Sequence, residues 1–213
     1  MKKSREQLKA AFMVETEEMP LGSAIENTYV AHLGNPQAFG HQIWADARQR
    51  SWMEAKDSLA IGDGAAWIRN LVAEHFYISH QVVDWFHATQ HLTEAARSLY
   101  NETTPQYRRW YRGWETKLFQ GHARSLIRAL KRQAVIKPDR SEAILQQTQY
   151  FQRNLKRMNY LEMRLEGYPI GNCFTPWWSA SRYLFLNFAH QFCYTVEAYP
   201  KDKIYRSSCY IMK

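Results

Sequence analysis

Apolar positions along the chain change their spacing several times, and each change marks an element. Residues 8–15, Leu-Lys-Ala-Ala-Phe-Met-Val-Glu, have strand character, with Glu17, Glu18 and Pro20 as the turn that follows. Thr28–Leu33 is a second strand, closed by Gly34-Asn35-Pro36. From Gln37 the period lengthens: Phe39, Ile43, Ala47 and Met53 lie near helical spacing and predict a helix over 37–56. Leu59–Asp63 then reads as a strand, Ala65–His75 as a helix with Trp67, Leu71 and Val72 towards the sheet, and Gln81–Asp84 as a strand. Alternation of this kind implies a sheet that is at least partly parallel and covered by helices.

After Asp84 the pattern is helical. Leu92, Ala95, Ala96 and Leu99 predict a helix over 86–100. Asn101–Pro105 is a loop in which Thr103 or Thr104 caps a helix starting at Pro105 and stopping at Gly121. Leu126, Ile127 and Leu130 belong to a third helix, and the run from Ser141 through Ile144, Thr148, Phe151 and Leu155 to Met158 to a fourth. Gly167-Tyr-Pro-Ile-Gly171 is a loop signature, and residues 173–213 keep no steady period. The chain therefore divides into an α/β part over 1–85, a helical module over 86–160, a short returning segment over 161–172, and a tail of different character over 173–213.

Charge sharpens this division. The chain carries +8, but residues 105–157 hold thirteen Lys or Arg against three acids, Glu115, Asp139 and Glu142, a net of +10. Basic residues stand among aromatics, as in Arg108-Arg109-Trp110-Tyr111-Arg112. A phosphate-contacting surface made of Arg108, Arg109, Arg112, Arg124, Arg128, Lys131 and Arg132 competes with the simpler reading of solvated helix faces. Cys173, Cys193 and Cys209 form neither a CxxC pair nor a disulfide framework. No secretory signal and no membrane-length apolar run is present, so the expected compartment is the cytoplasm, at the nucleoid, with no membrane partner.

The candidate chemistry lies where strands end. Asp63 sits between Gly62 and Gly64, and Asp84 closes the following strand. Two carboxylates from neighbouring strand ends suit a hard divalent cation, Mg²⁺ or Mn²⁺; capping of the next helix is the competing use of each. His87 and His91, four apart on one helical face with Glu94 three further on, fit beside these acids as hydrogen-bonding groups that titrate near neutrality. No HExxH accompanies them, which argues against a zinc hydrolase. Phosphate-loop, dinucleotide and GxSxG motifs are all absent, so no small-molecule cofactor is expected.

Taken in order, Tyr29-Val-Ala-His-Leu-Gly34, Gly62-Asp-Gly-Ala-Ala-Trp-Ile68, Val83-Asp-Trp-Phe-His-Ala88 with His91-Leu92, and Gly167-Tyr-Pro-Ile-Gly171 resemble a family of bacterial and cyanobacterial insertion-sequence transposases with an acidic triad. The resemblance implies an incomplete ribonuclease H-like α/β core with a helical insertion module. It makes Asp63 the second acid of the triad and a metal ligand, and places Asp84 and His87 at the catalytic site with His91 nearby. The first acid has no counterpart, and the position of the third falls near Pro176, where no Glu stands. The implied function is that of a transposase-derived DNA-binding protein, impaired in Mg²⁺-dependent cleavage and strand transfer. Its implied partners are double-stranded DNA, at element ends and target, and a second copy or a full-length transposase. The alternatives are a non-catalytic nucleic-acid-binding or regulatory fragment, and a metal-dependent nuclease that recruits Asp84 or Glu94. Loss of the opening strand is expected to leave the sheet without a central member.

Overall fold

A computed structural model describes residues 23–55, 57–166, 168–171, 184–189 and 204–212. Strand β1 (Ser23–His32) leads into helix α1 (Pro36–Gln49) and a 3₁₀ turn (Trp52–Glu54). Strand β2 (Ser58–Gly62), helix α2 (Ala66–His75) and strand β3 (His80–Val83) follow. Five helices come next: α3 (Trp85–Leu99), α4 (Pro105–Phe119), α5 (Ala123–Ile136), α6 (Ser141–Asn154) and α7 (Tyr160–Leu165). Strands β4 (Leu184–Ala189) and β5 (Ile204–Met212) lie in the tail.

The helix starts carry their own chemistry. Asn35 accepts a hydrogen bond from Ala38 N at 2.8 Å, with Pro36 in the first turn of α1. Thr104 accepts from Tyr107 N at 3.3 Å, with Pro105 opening α4. In each case the cap satisfies an orphan backbone donor, and proline sits where no donor is needed. The long helix read over 37–56 ends at Gln49, because Ser51 takes a left-handed conformation (φ 57°) and the chain turns into the 3₁₀ segment.

The sheet has the order β1-β5-β4-β2-β3, and every pairing is parallel. Its two faces carry separate cores. Leu59 and Ile61 of β2 join Val82 and Val83 of β3 against α3–α7, where Leu92, Leu118, Leu126, Leu130, Ile144 and Phe151 are buried. Ala60, between them in sequence, points to the other face and joins Phe39, Ile43, Trp52, Ile68, Leu71 and Phe76. This is the period-2 alternation of a strand with helices on both sides. Tyr168 and Ile170 belong to the larger core, and Trp85 N donates to Ile170 O at 2.8 Å.

The expected incomplete ribonuclease H-like core is corrected here. Most of the described residues are helical, and all strand pairings are parallel, whereas a ribonuclease H-like core is built on a mixed sheet. The expected gap is not found either, since β2 is paired by β3 on one side and β4 on the other. The strand read over 8–15 lies outside the described residues. No helix among those described is long and apolar enough to cross a membrane.

Leu92 is fully buried, whereas Val135, on α5, is 83% exposed. Leu92→Ala is expected to destabilise the protein by about 3 kcal/mol through lost burial and a residual cavity. Val135→Ala should stay within about 0.5 kcal/mol of the parent. Urea unfolding followed by circular dichroism checks both; equal effects would place the core elsewhere.

Candidate functional site

In a parallel sheet the carboxyl ends of strands face a common rim, where following loops gather side chains. Asp63 and Asp84 stand at that rim, directly after β2 and β3, and Asp84 N donates to Gly62 O at 2.7 Å. Asp84 is 1% exposed. Its Oδ1 accepts from Phe86 N at 2.7 Å and His87 N at 3.4 Å, so it is the N-cap of α3. Asp63 Oδ1 accepts from Ala65 N at 2.7 Å, just ahead of α2.

Residues 150–157, at the end of α6 and just beyond, close over the turn after β2. Tyr150 donates its hydroxyl to Asp63 O at 2.9 Å. Arg157 donates to Gly64 O at 3.4 Å and to the Asn154 side chain. Gly64 has φ +94°, and a Cβ there would sit 2.8 Å from Asn154 Nδ2 and 3.2 Å from the Tyr150 ring. Glycine is required on both conformational and steric grounds.

The two histidines complete the cluster. His91 Nδ1 meets Gln147 Oε1 at 2.8 Å, and its ring stacks on Tyr150 with centroids 3.4 Å apart. His87 Nδ1 lies 3.8 Å from Asp84 Oδ1, a charge contact longer than a hydrogen bond. The structure thus gathers Asp63, Asp84, His87 and His91, four residues singled out by sequence, around Tyr150. Sequence reading missed Tyr150, Asn154, Arg157, Gln147 and Tyr160. The available signal was weak: Gln147 and Tyr150 lie off the buried stripe of α6, which runs through Ile144, Thr148 and Phe151. The Tyr160 hydroxyl is buried with no hydrogen-bond partner among the described residues.

Electrostatics separates the members. The Asp84 carboxylate holds His87 above the ordinary imidazole value, outweighing burial. Burial holds His91 below it, opposed by the bond to Gln147. Burial also raises the Tyr150 and Tyr160 hydroxyls and lowers Arg157, which Arg69 lowers further. As for Mg²⁺ or Mn²⁺, Asp63 and Asp84 each already use Oδ1 to accept backbone N–H groups. Among the described residues no group of three or more His, Cys, Asp or Glu is placed to hold an ion. Asp84 caps α3, and Asp63 closes the turn ahead of α2.

Away from the cluster, Arg124, Arg128, Lys131 and Arg132 are all exposed on α5. They occupy the side opposite Ala123, Leu126, Ile127, Leu130 and Ala134, the helix's buried stripe. Arg108, Arg109 and Arg112 are exposed on α4. None of these seven is in a salt bridge among the described residues. The neighbouring aromatics are not free to stack. Trp110, Tyr111 and Trp114 pack against the large core, Tyr111 donates to Glu115 at 2.9 Å, and Lys117 Nζ lies 4.5 Å from the Trp114 ring centroid.

The opposite shifts of His87 and His91 give opposite pH dependences from the unperturbed value of 6.5. His87 is raised by folding, so its contribution is full below 6.5 and is lost as pH rises through its folded value. His91 is lowered, so its contribution is present above 6.5 and is lost as pH falls through its folded value. His87→Gln should therefore flatten the alkaline side of the stability profile and His91→Gln the acid side. Urea midpoints from about pH 5 to 8 check this; the same change on one side for both variants would refute the assignment.

The likeness to acidic-triad transposases is overturned by these findings. The fold is a helix-rich arrangement on a parallel sheet, and no metal-holding triad occurs among the described residues. The transposase-derived function, its phosphoryl-transfer chemistry, the nuclease alternative and the regulatory transposase fragment fall with it. The likeness was carried by short glycine and aromatic motifs that serve turns, caps and packing here. No family model matches the chain, and neither the curated proteins nor the solved structures contain a match.

Proposed function

We propose that this protein binds double-stranded DNA through its phosphate backbone, along the basic surface of α4 and α5. The observation that carries this reading is the exposed set Arg124, Arg128, Lys131 and Arg132 on α5, none of them in a salt bridge among the described residues. From Arg124 to Arg132 the helix rises roughly 12 Å, enough to meet several phosphates of one strand. Arg108, Arg109 and Arg112 extend the positive field onto α4. The packed state of Trp110, Tyr111 and Trp114 favours backbone contact over stacking on unpaired bases.

Binding of this kind releases counterions, so affinity should fall linearly with log salt, with a slope of about −0.9 for each phosphate neutralised. Replacing Arg124, Arg128 and Lys131 together by Gln should weaken binding and lower that slope by about 2 to 3. Arg97→Gln is the control, because Arg97 is already paired with Glu94 and Glu102. Fluorescence anisotropy with a labelled duplex measures these quantities. Absence of binding at about 50 mM salt, or equal loss in the control, would overturn the proposal.

A further inference from the structure

The contact between α1 and α2 is built around a histidine pair that none of the foregoing uses. His75, the last residue of α2, has a side chain only 10% exposed. Its ring is pressed into α1 at Gly40, where a Cβ would lie 2.7 Å from Nε2 and 3.0 Å from Cδ2. Only glycine lets the two helices approach this closely at the ring. Trp44 of α1 stacks on His75 with centroids 6.3 Å apart, and His41, one turn earlier, meets it edge-on at 5.4 Å. Below them Trp44, Trp52 and Phe76 form a set of edge-to-face contacts at 5.3 to 5.6 Å.

The charged and titratable groups that face His75 are few. Glu74, on its own helix, places Oε1 3.9 Å from Nε2, but the Glu74 side chain is 65% exposed. His41 is the group from α1. Trp52 and Phe76, which complete the surroundings, carry no charge. A proton on His75 therefore enters an aromatic, partly dry contact with one solvated acid beside it and a second imidazole opposite. The C-terminal end of α2 favours a cation, yet burial dominates and holds His75 below 6.5, with His41 adding to the effect and Glu74 opposing it.

We infer that the His75–Gly40 contact is an acid-released latch: protonation of the His75 imidazole parts α1 from α2 while the α3–α6 core stays closed. The sign follows from linkage. A group whose folded pKa is depressed stabilises the closed contact above its unfolded value of 6.5 and loses that contribution as pH falls through the folded value. The larger core holds neither histidine, so the release is local, of the kind seen when one cooperative unit opens before the whole molecule.

Hydrogen exchange of the full-length protein, read by mass spectrometry from about pH 7.5 to 5 and corrected for intrinsic rates, tests the latch. Protection over 36–49 should fall roughly tenfold or more on the acid side of 6.5, with 123–154 unchanged. His75→Gln should abolish the pH dependence. His41→Gln, which leaves the buried ring in place and removes the group that lowers it, should shrink the loss of protection and complete it at higher pH. Uniform loss of protection across both segments, no loss over 36–49, or an unchanged pH profile in His41→Gln would each overturn the inference, the last even if His75→Gln failed to fold.

Discussion

The joint that the rest of the structure depends on is the closure of residues 150–157 over the turn after β2. The Tyr150 hydroxyl reaches Asp63 O, and Arg157 reaches Gly64 O. Both acceptors are backbone carbonyls at a strand end, which must find donors once helices cover them. Supplying those donors from a helix some ninety residues away ties the helical module to the sheet at a defined angle. It also makes Gly64 a condition of the docking, since any side chain there meets Asn154 and Tyr150. The stack of His91 on Tyr150, with Gln147 on its Nδ1, then fixes α3 against α6 at the same point.

The two acids at the strand ends beside this joint have structural uses of their own. A carboxylate that accepts from two backbone N–H groups, as Asp84 does, is held by the amino end of a helix and its partial positive charge. Asp84 is also almost fully buried, so its charge is balanced by the helix end and by His87 rather than by water. That geometry makes Asp84 an effective cap of α3.

Much of the element order was legible because it rests on local rules. Short apolar runs ending in a carboxylate announced β2 and β3, and helical spacing announced α3 to α6. Thr104, Pro105 and Asp84 marked helix starts that the structure places at those residues. Asp63, Asp84, His87 and His91 were singled out and do meet. What they do was not legible, because a cap and a ligand use the same residue type after the same strand. Tyr150, Arg157 and Gln147 were invisible for a different reason: they act across about sixty to ninety residues, and local periodicity carries no record of a partner that distant. The aromatic–basic run at 108–112 misled in part. Its arginines are exposed, but Trp110 and Tyr111 are half-buried and pack against the large core. The resemblance to transposases failed at the same level: short motifs preserve the local needs of turns and caps, and those needs recur in unrelated chains.

Charge is segregated in a way that keeps folding and surface function apart. The buried joint combines carboxylates, imidazoles and a guanidinium in close contact, each partly offset by another or by a backbone dipole. Six arginines and Lys131, on α4 and α5, are instead exposed away from the core, with no salt bridge among the described residues. Moderate self-repulsion on such a surface is tolerated because Leu118, Leu126, Leu130 and Ile144 bury the other side of the module completely. These cations lie outside both the core and the joint at Asp63, so altering them leaves that joint untouched.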